Sequence, residues 1–214
     1  MAEAFRRAYG DHVRVYPERF EAEFGQTPYD GFNFFTGHVG FTVASEIGGD
    51  LITVLRDPVD RFLSTYYFLR QMFNSGSERS YKASLAARFD LDQFARIRGE
   101  PVLQDELHNR MTWQLAHSHR VARRSELAVG DAELVQIAMD NLSKFAIVGL
   151  QTDMADLGES VRRRYNVHLS IDRVNVTGQR RTLEDIPSAT LDRIEWWVHL
   201  DRELYRGWIN RDRR

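Results

Sequence analysis

The run Leu51-Ile52-Thr53-Val54-Leu55, followed at once by Arg56-Asp57-Pro58, constrains this chain more than any other segment. Five nearly all-apolar, β-branched-rich residues have the pattern of a strand covered on both faces. Asp57 suits a helix N-cap and Pro58 the first helical position, so the strand is expected to pass directly into a helix. That helix is expected to run to about Met72. Arg56 falls at the carboxyl end of the strand, where open α/β sheets hold their ligands, and Ser64 follows two turns on. A guanidinium beside a helix N-terminus, with a hydroxyl nearby, would make a seat for a phosphate. The alternative is that Arg56 pairs with a neighbouring carboxylate and Ser64 merely faces the helix.

The rest of the chain reads as strands alternating with helices. Helices are expected over 2–9, 84–98, 106–116, 132–142 and 154–165, and short strands over 12–16, 33–36 and 145–150. Residues 74–79, 118–131 and 175–182 read as polar loops. A last helix carries Leu191, Ile194, Trp197, Val198, Asp201, Leu204, Tyr205 and Trp208 at spacings of three and four, so most of that stripe faces a core. Alternation of this kind indicates an α/β protein with a mainly parallel sheet.

At 214 residues with 43% hydrophobic and 28% charged residues, the chain is the size and composition of one globular domain, 1–214. A formal net charge of −2 argues against binding nucleic acid through bulk charge. Arginine dominates the cations, Lys82 and Lys144 being the lysines; arginine is the better residue for a bidentate grip on phosphate or sulfate. With no cysteine there is no disulfide framework and no thiolate chemistry. No secretory signal and no membrane-length apolar run is evident, so a cytoplasmic protein without a membrane partner is expected.

The block L-R-D-P-V-D-R-F-L-S-T-Y-Y from Leu55 to Tyr67 resembles one found in sulfotransferases, in the branch of the heparan sulfate 2-O- and 6-O-sulfotransferases and their bacterial relatives. Weaker similarities follow in that family's order: Thr36-Gly37-His38-Val39, Asn109-Arg110-Met111-Thr112-Trp113-Gln114-Leu115, Ile147-Val148-Gly149-Leu150, Val174-Asn175-Val176-Thr177 and Leu200-Asp201-Arg202-Glu203-Leu204-Tyr205. The resemblance implies a P-loop-NTPase-like three-layer sandwich, with a mainly parallel central sheet flanked by helices. It also implies sulfuryl transfer from 3′-phosphoadenosine 5′-phosphosulfate (PAPS) to a hydroxyl of a carbohydrate-like or small acceptor, without a metal. Arg56 and Ser64 would then hold the 3′-phosphate. Thr177, Gly178 and Arg180 would belong to a late nucleotide-contacting loop. His38 would be the general base, a role that suits a side chain neutral near pH 7; a structural, hydrogen-bonded histidine is the other reading.

One part of the family pattern is missing. The Lys- and Gly-rich loop that would wrap the 5′-phosphosulfate is not found, and the expected first helix, 2–9, begins where that loop would end. Two explanations compete: the chain starts downstream of the loop and its strand, or it is a degenerate relative that binds the desulfated nucleotide without transfer. A kinase is disfavoured because no G-x-x-x-x-G-K-[ST] occurs.

Overall fold

The computed structural model describes residues 2–10, 13–16, 33–169 and 183–211. In chain order these form α1 (Ala2–Tyr9), β1 (Val13–Tyr16), β2 (Phe34–Gly37), α2 (Phe41–Ile47), β3 (Ile52–Leu55), α3 (Pro58–Asn74), α4 (Tyr81–Arg88) and α5 (Leu91–Ala95). They continue through α6 (Pro101–Leu107), α7 (Arg110–Ala116), α8 (Val121–Arg124), α9 (Asp131–Leu142), β4 (Ile147–Leu150), α10 (Met154–Tyr165), a 3₁₀ turn (Leu183–Asp185) and α11 (Ser188–Ile209).

The strand–helix unit forms where its sequence places it. The Asp57 carboxylate caps α3 by accepting from Asp60 N at 2.9 Å, and Pro58 is the first helical residue. Helix α3 buries Phe62, Leu63, Tyr66 and Leu69, spaced three and four apart, against Phe94, Leu103 and Leu107 and against Ile194, Trp197 and Val198 of α11. The Trp197 indole spends its one donor on Ala95 O at 2.8 Å, which makes burial of that large side chain affordable. Further along α11, Leu200, Leu204 and Trp208 pack on Leu115, Leu134, Ala138 and Leu142 of α7 and α9. One long amphipathic helix thus joins two core clusters.

Two expected helices are each divided. Residues 84–98 become α4 and α5, because Asp90 and Gln93 close a capping box that starts a new helix. Residues 106–116 divide at Asn109, which takes the left-handed conformation at φ 46°. Its N–H donates to Trp197 O at 2.7 Å and its side-chain oxygen accepts from Leu200 N at 3.0 Å, so tertiary bonds to α11 replace the local helical ones. Gly40, ahead of α2, answers to a different constraint. A Cβ there would lie 2.1 Å from His117 O, so only glycine lets α2 approach the segment after α7 so closely.

The fold class expected from the sequence is not what forms. Helices take most of the described residues, and the strands are four residues each. They make two separate parallel pairs, β1–β2 (Val13 opposite Phe34) and β3–β4 (Ile52 opposite Ile147). No strand among the described residues joins β2 to β3, so the P-loop-NTPase-like three-layer sandwich with a continuous central sheet is overturned. The apolar runs do specify strands, but a run does not encode how many neighbours its strand acquires.

Candidate functional site

An open space lies between the two strand pairs, where a continuous sheet would have closed it. A cavity of about 900 Å³ runs between β2 and β3. All four residues of β2 and all of Leu51, Ile52, Thr53, Val54 and Leu55 line it. Successive side chains of a strand point to opposite faces, so a space touching every residue in turn runs along the strand edge rather than over one face. The hydrogen bonds agree. Leu51 O accepts from Ala146 N at 2.9 Å and Leu55 O from Gln151 N at 2.8 Å, so residues 51, 53 and 55 direct their backbone groups towards β4. The same alternation turns the N–H and C=O of Ile52 and Val54 to the opposite edge, on the cavity.

The walls are rich in rings, with polar and apolar surface in nearly equal share. On one side Phe5 of α1 is buried and stacks on Phe34 with centroids 3.9 Å apart, and Tyr165 of α10 meets Phe5 edge-on at 6.1 Å. Phe5, Phe34, Ile52, Val54 and Tyr165 belong to one apolar cluster, so both strand pairs share that wall. The opposite wall comes from Phe41, Ala44 and Ile47 of α2, Met111 and Leu115 of α7, and Phe145. Several of the cavity's polar groups already have partners. Gln114 Nε2 donates to Val39 O at 2.9 Å. Asp50, the carboxylate at the rim, accepts from Arg164 Nε at 2.8 Å and Tyr165 Oη at 2.9 Å, and these hydrogen bonds hold its pKa below the usual value. No lysine or arginine is among the lining residues.

The residues singled out in the sequence are placed otherwise than the resemblance implied. Arg56 is half-buried, and its Nε and Nη2 both lie 2.5 Å from Asp60 Oδ2, one helical turn on. The carboxylate-paired alternative therefore describes this side chain. Burial lowers the Arg56 pKa, against the opposing pull of Asp57. Ser64 is half-buried on α3. His38 is exposed, directly after the last residue of β2. Thr177, Gly178 and Arg180 lie outside the described residues.

A buried polar network that the sequence did not announce lies beside the core. Asp201, fully buried on α11, accepts from Thr112 N and Thr112 Oγ1 at 2.8 Å each and from Met111 N at 3.3 Å, with Arg61 Nη2 at 3.6 Å. Burial pushes its carboxyl up while Arg61 pulls it down. Arg61 also donates to Glu106 O and Leu107 O, satisfying the end of α6. Glu106 pairs with Lys82 at 3.0 Å and Arg110 at 3.1 Å and is held at about 2, those cations outweighing the cost of burial. His119 is almost wholly buried and is pushed down to about 3, first by burial and then by Arg110 and Arg120. Its Nδ1 has no hydrogen-bond partner. These bonds tie α3, α6, α7 and α11 together, which is structural work.

Comparison with family models, with characterised proteins and with solved structures finds no match for this chain. The sulfotransferase resemblance therefore rests on short motifs alone, and the fold overturns it. The described residues form no continuous sheet and so no nucleotide-binding core to position PAPS, and the arginine assigned to the 3′-phosphate is closed onto Asp60. PAPS-dependent sulfuryl transfer, its degenerate nucleotide-binding alternative, the PAPS cofactor and the carbohydrate-like acceptor are set aside with that core. No group of metal-ligating side chains occurs among the described residues, and no helix among them is long and apolar enough to cross a membrane.

The cavity was missed because its walls come from residues as far apart as Phe5 and Tyr165. One signal was available: the aromatic run Phe34-Phe35, followed closely by Phe41, is richer in rings than a short strand needs.

Proposed function

We propose that this chain is a binding protein, a single cytoplasmic domain over 1–214, whose ligand occupies the cavity between β2 and β3. The carrying observation is the cavity itself: about 900 Å³, walled by aromatic and aliphatic side chains and lacking an unpaired cation in its lining. That volume, with ring-bearing walls, polar groups among them and no lysine or arginine in the lining, suits an uncharged ligand that presents both apolar surface and hydrogen-bonding groups. In this reading His38 and Arg56 each follow the last cavity-lining residue of their strand and stand beside the lining rather than in it, Arg56 staying paired with Asp60. Ser64 stands one step further back, on α3.

The test is titration with the apolar fluorescent probe N-phenyl-1-naphthylamine, in the native chain and in Ala44→Phe. Ala44 lines the cavity from α2 at a half-buried position, so a larger side chain there takes up cavity space. The native chain should bind one probe saturably, and the filled variant should bind at least about tenfold more weakly, a loss of about 1.4 kcal/mol. Failure of the native chain to bind, or equal binding by Ala44→Phe, overturns the proposal.

A further inference from the structure

We infer that the occupant of this cavity is a β-strand: an extended, uncharged, apolar segment of a partner protein that inserts between β2 and β3 and pairs along β3. The inference rests on the binding reading above and names the partner's chemistry.

Three observations converge. The cavity follows strand edges, touching every residue of β2 and of 51–55 in succession, whereas a pocket for a compact molecule would touch one face of each strand. On its β3 side it presents the backbone groups of Ile52 and Val54, alternating with the carbonyls of Leu51 and Leu55 that are spent on β4. Neither Ile52 nor Val54 has a second strand neighbour among the described residues. Backbone donors and acceptors left along a strand edge are costly when water is excluded unless they are paired, and an added strand pairs them in register.

The walls specify the side chains. Phe5 and Tyr165 cover one face and Phe41, Met111 and Leu115 the other, so an inserted strand is apolar on both faces. Such strands are continuous runs of valine, isoleucine and leucine rather than alternating ones. Asp50 at the rim is already neutralised by Arg164, so the site offers no counter-charge for a lysine or arginine within the paired stretch.

The experiment uses the full chain and a nine-residue peptide of five consecutive valine, isoleucine and leucine residues with two lysines at each end. A second peptide, N-methylated at its three central nitrogens, keeps the side chains but cannot pair. Amide hydrogen exchange is read at Ile52 and Val54, with the naphthylamine probe as competitor. The first peptide should displace the probe and slow exchange at both amides at least tenfold, and the methylated peptide should do neither. If the probe binds but the first peptide does not, or if the methylated peptide binds as tightly, strand insertion is overturned while the binding function stands. If neither probe nor peptide binds, both fail together.

Discussion

Replacing Asp201 by asparagine should be among the most destabilising single-atom changes available in this chain. The carboxylate is fully buried, and its Oδ1 holds the Thr112 N–H and hydroxyl at 2.8 Å. Oδ2 faces two donors, Met111 N at 3.3 Å and Arg61 Nη2 at 3.6 Å. Asparagine can keep the first pair of bonds, but its amide nitrogen then confronts both donors at the second position. The larger effect is on Arg61, whose side chain is only 15% exposed and would lose the stronger of its two counter-charges, Glu106 being the weaker. Removing one partner of a buried pair costs about 3–5 kcal/mol, because the other charge is left uncompensated. With a urea dependence of about 2–3 kcal/mol per molar, the unfolding midpoint should fall by roughly 1–2 M. Fluorescence of the buried Trp197 follows the transition. A double variant, Asp201→Asn with Arg61→Met, removes the stranded cation and should be less destabilised than the sum of the two singles by about 2 kcal/mol. A loss below about 1 kcal/mol for Asp201→Asn, or strict additivity in the double variant, would refute this reading of the network.

Two further predictions concern the same region. His119 keeps a folded pKa of about 3 and His108 of about 4, both below the ordinary 6.5, with burial the first cause in each case. The unfolded chain therefore binds more protons between pH 6.5 and 4, and stability falls as pH falls through that window, by about 1.4 kcal/mol per pH unit for each histidine fully in range. His119→Gln should flatten the slope of stability against pH there, and an unchanged slope would remove His119 from the account. Gly40→Ala should cost more than about 2 kcal/mol, since its Cβ would sit 2.1 Å from His117 O and 2.7 Å from Ser118 Cα, both backbone atoms that cannot swing aside. Thermal unfolding of that variant within a degree or two of the native chain would contradict the close approach of α2.

Local structure was more legible in this sequence than the way its pieces meet. Residues 51–58 carry strand, cap and helix start in adjacent residue types, and each acts through its own backbone or the next turn. The stripe on α11 was readable because a helix repeats its own face: Ile194, Trp197, Val198, Leu204 and Trp208 are buried as the spacing requires. Asn109 was not readable, because what divides the helix there is a pair of bonds to Trp197 and Leu200, some ninety residues away. The fate of Arg56 was within reach. Asp60 stands four residues on, the spacing at which an arginine and an aspartate meet on a helix surface, and that local pairing outweighs the resemblance to a phosphate-binding motif. The width of the sheet is not legible for a different reason. Val54 and Val148 look the same whether their strand has one neighbour or two, so sheet width is a property of the assembled molecule.

The central claim, that the space between the strand pairs is a ligand site, is tested most directly by mapping the bound naphthylamine probe through backbone amide NMR shifts. The account predicts that the shifts concentrate on Phe34 to Gly37, Ala44 and Leu51 to Leu55, the edges and wall of the cavity. Shifts confined to α9 and α11, or no saturable shifts, would contradict it.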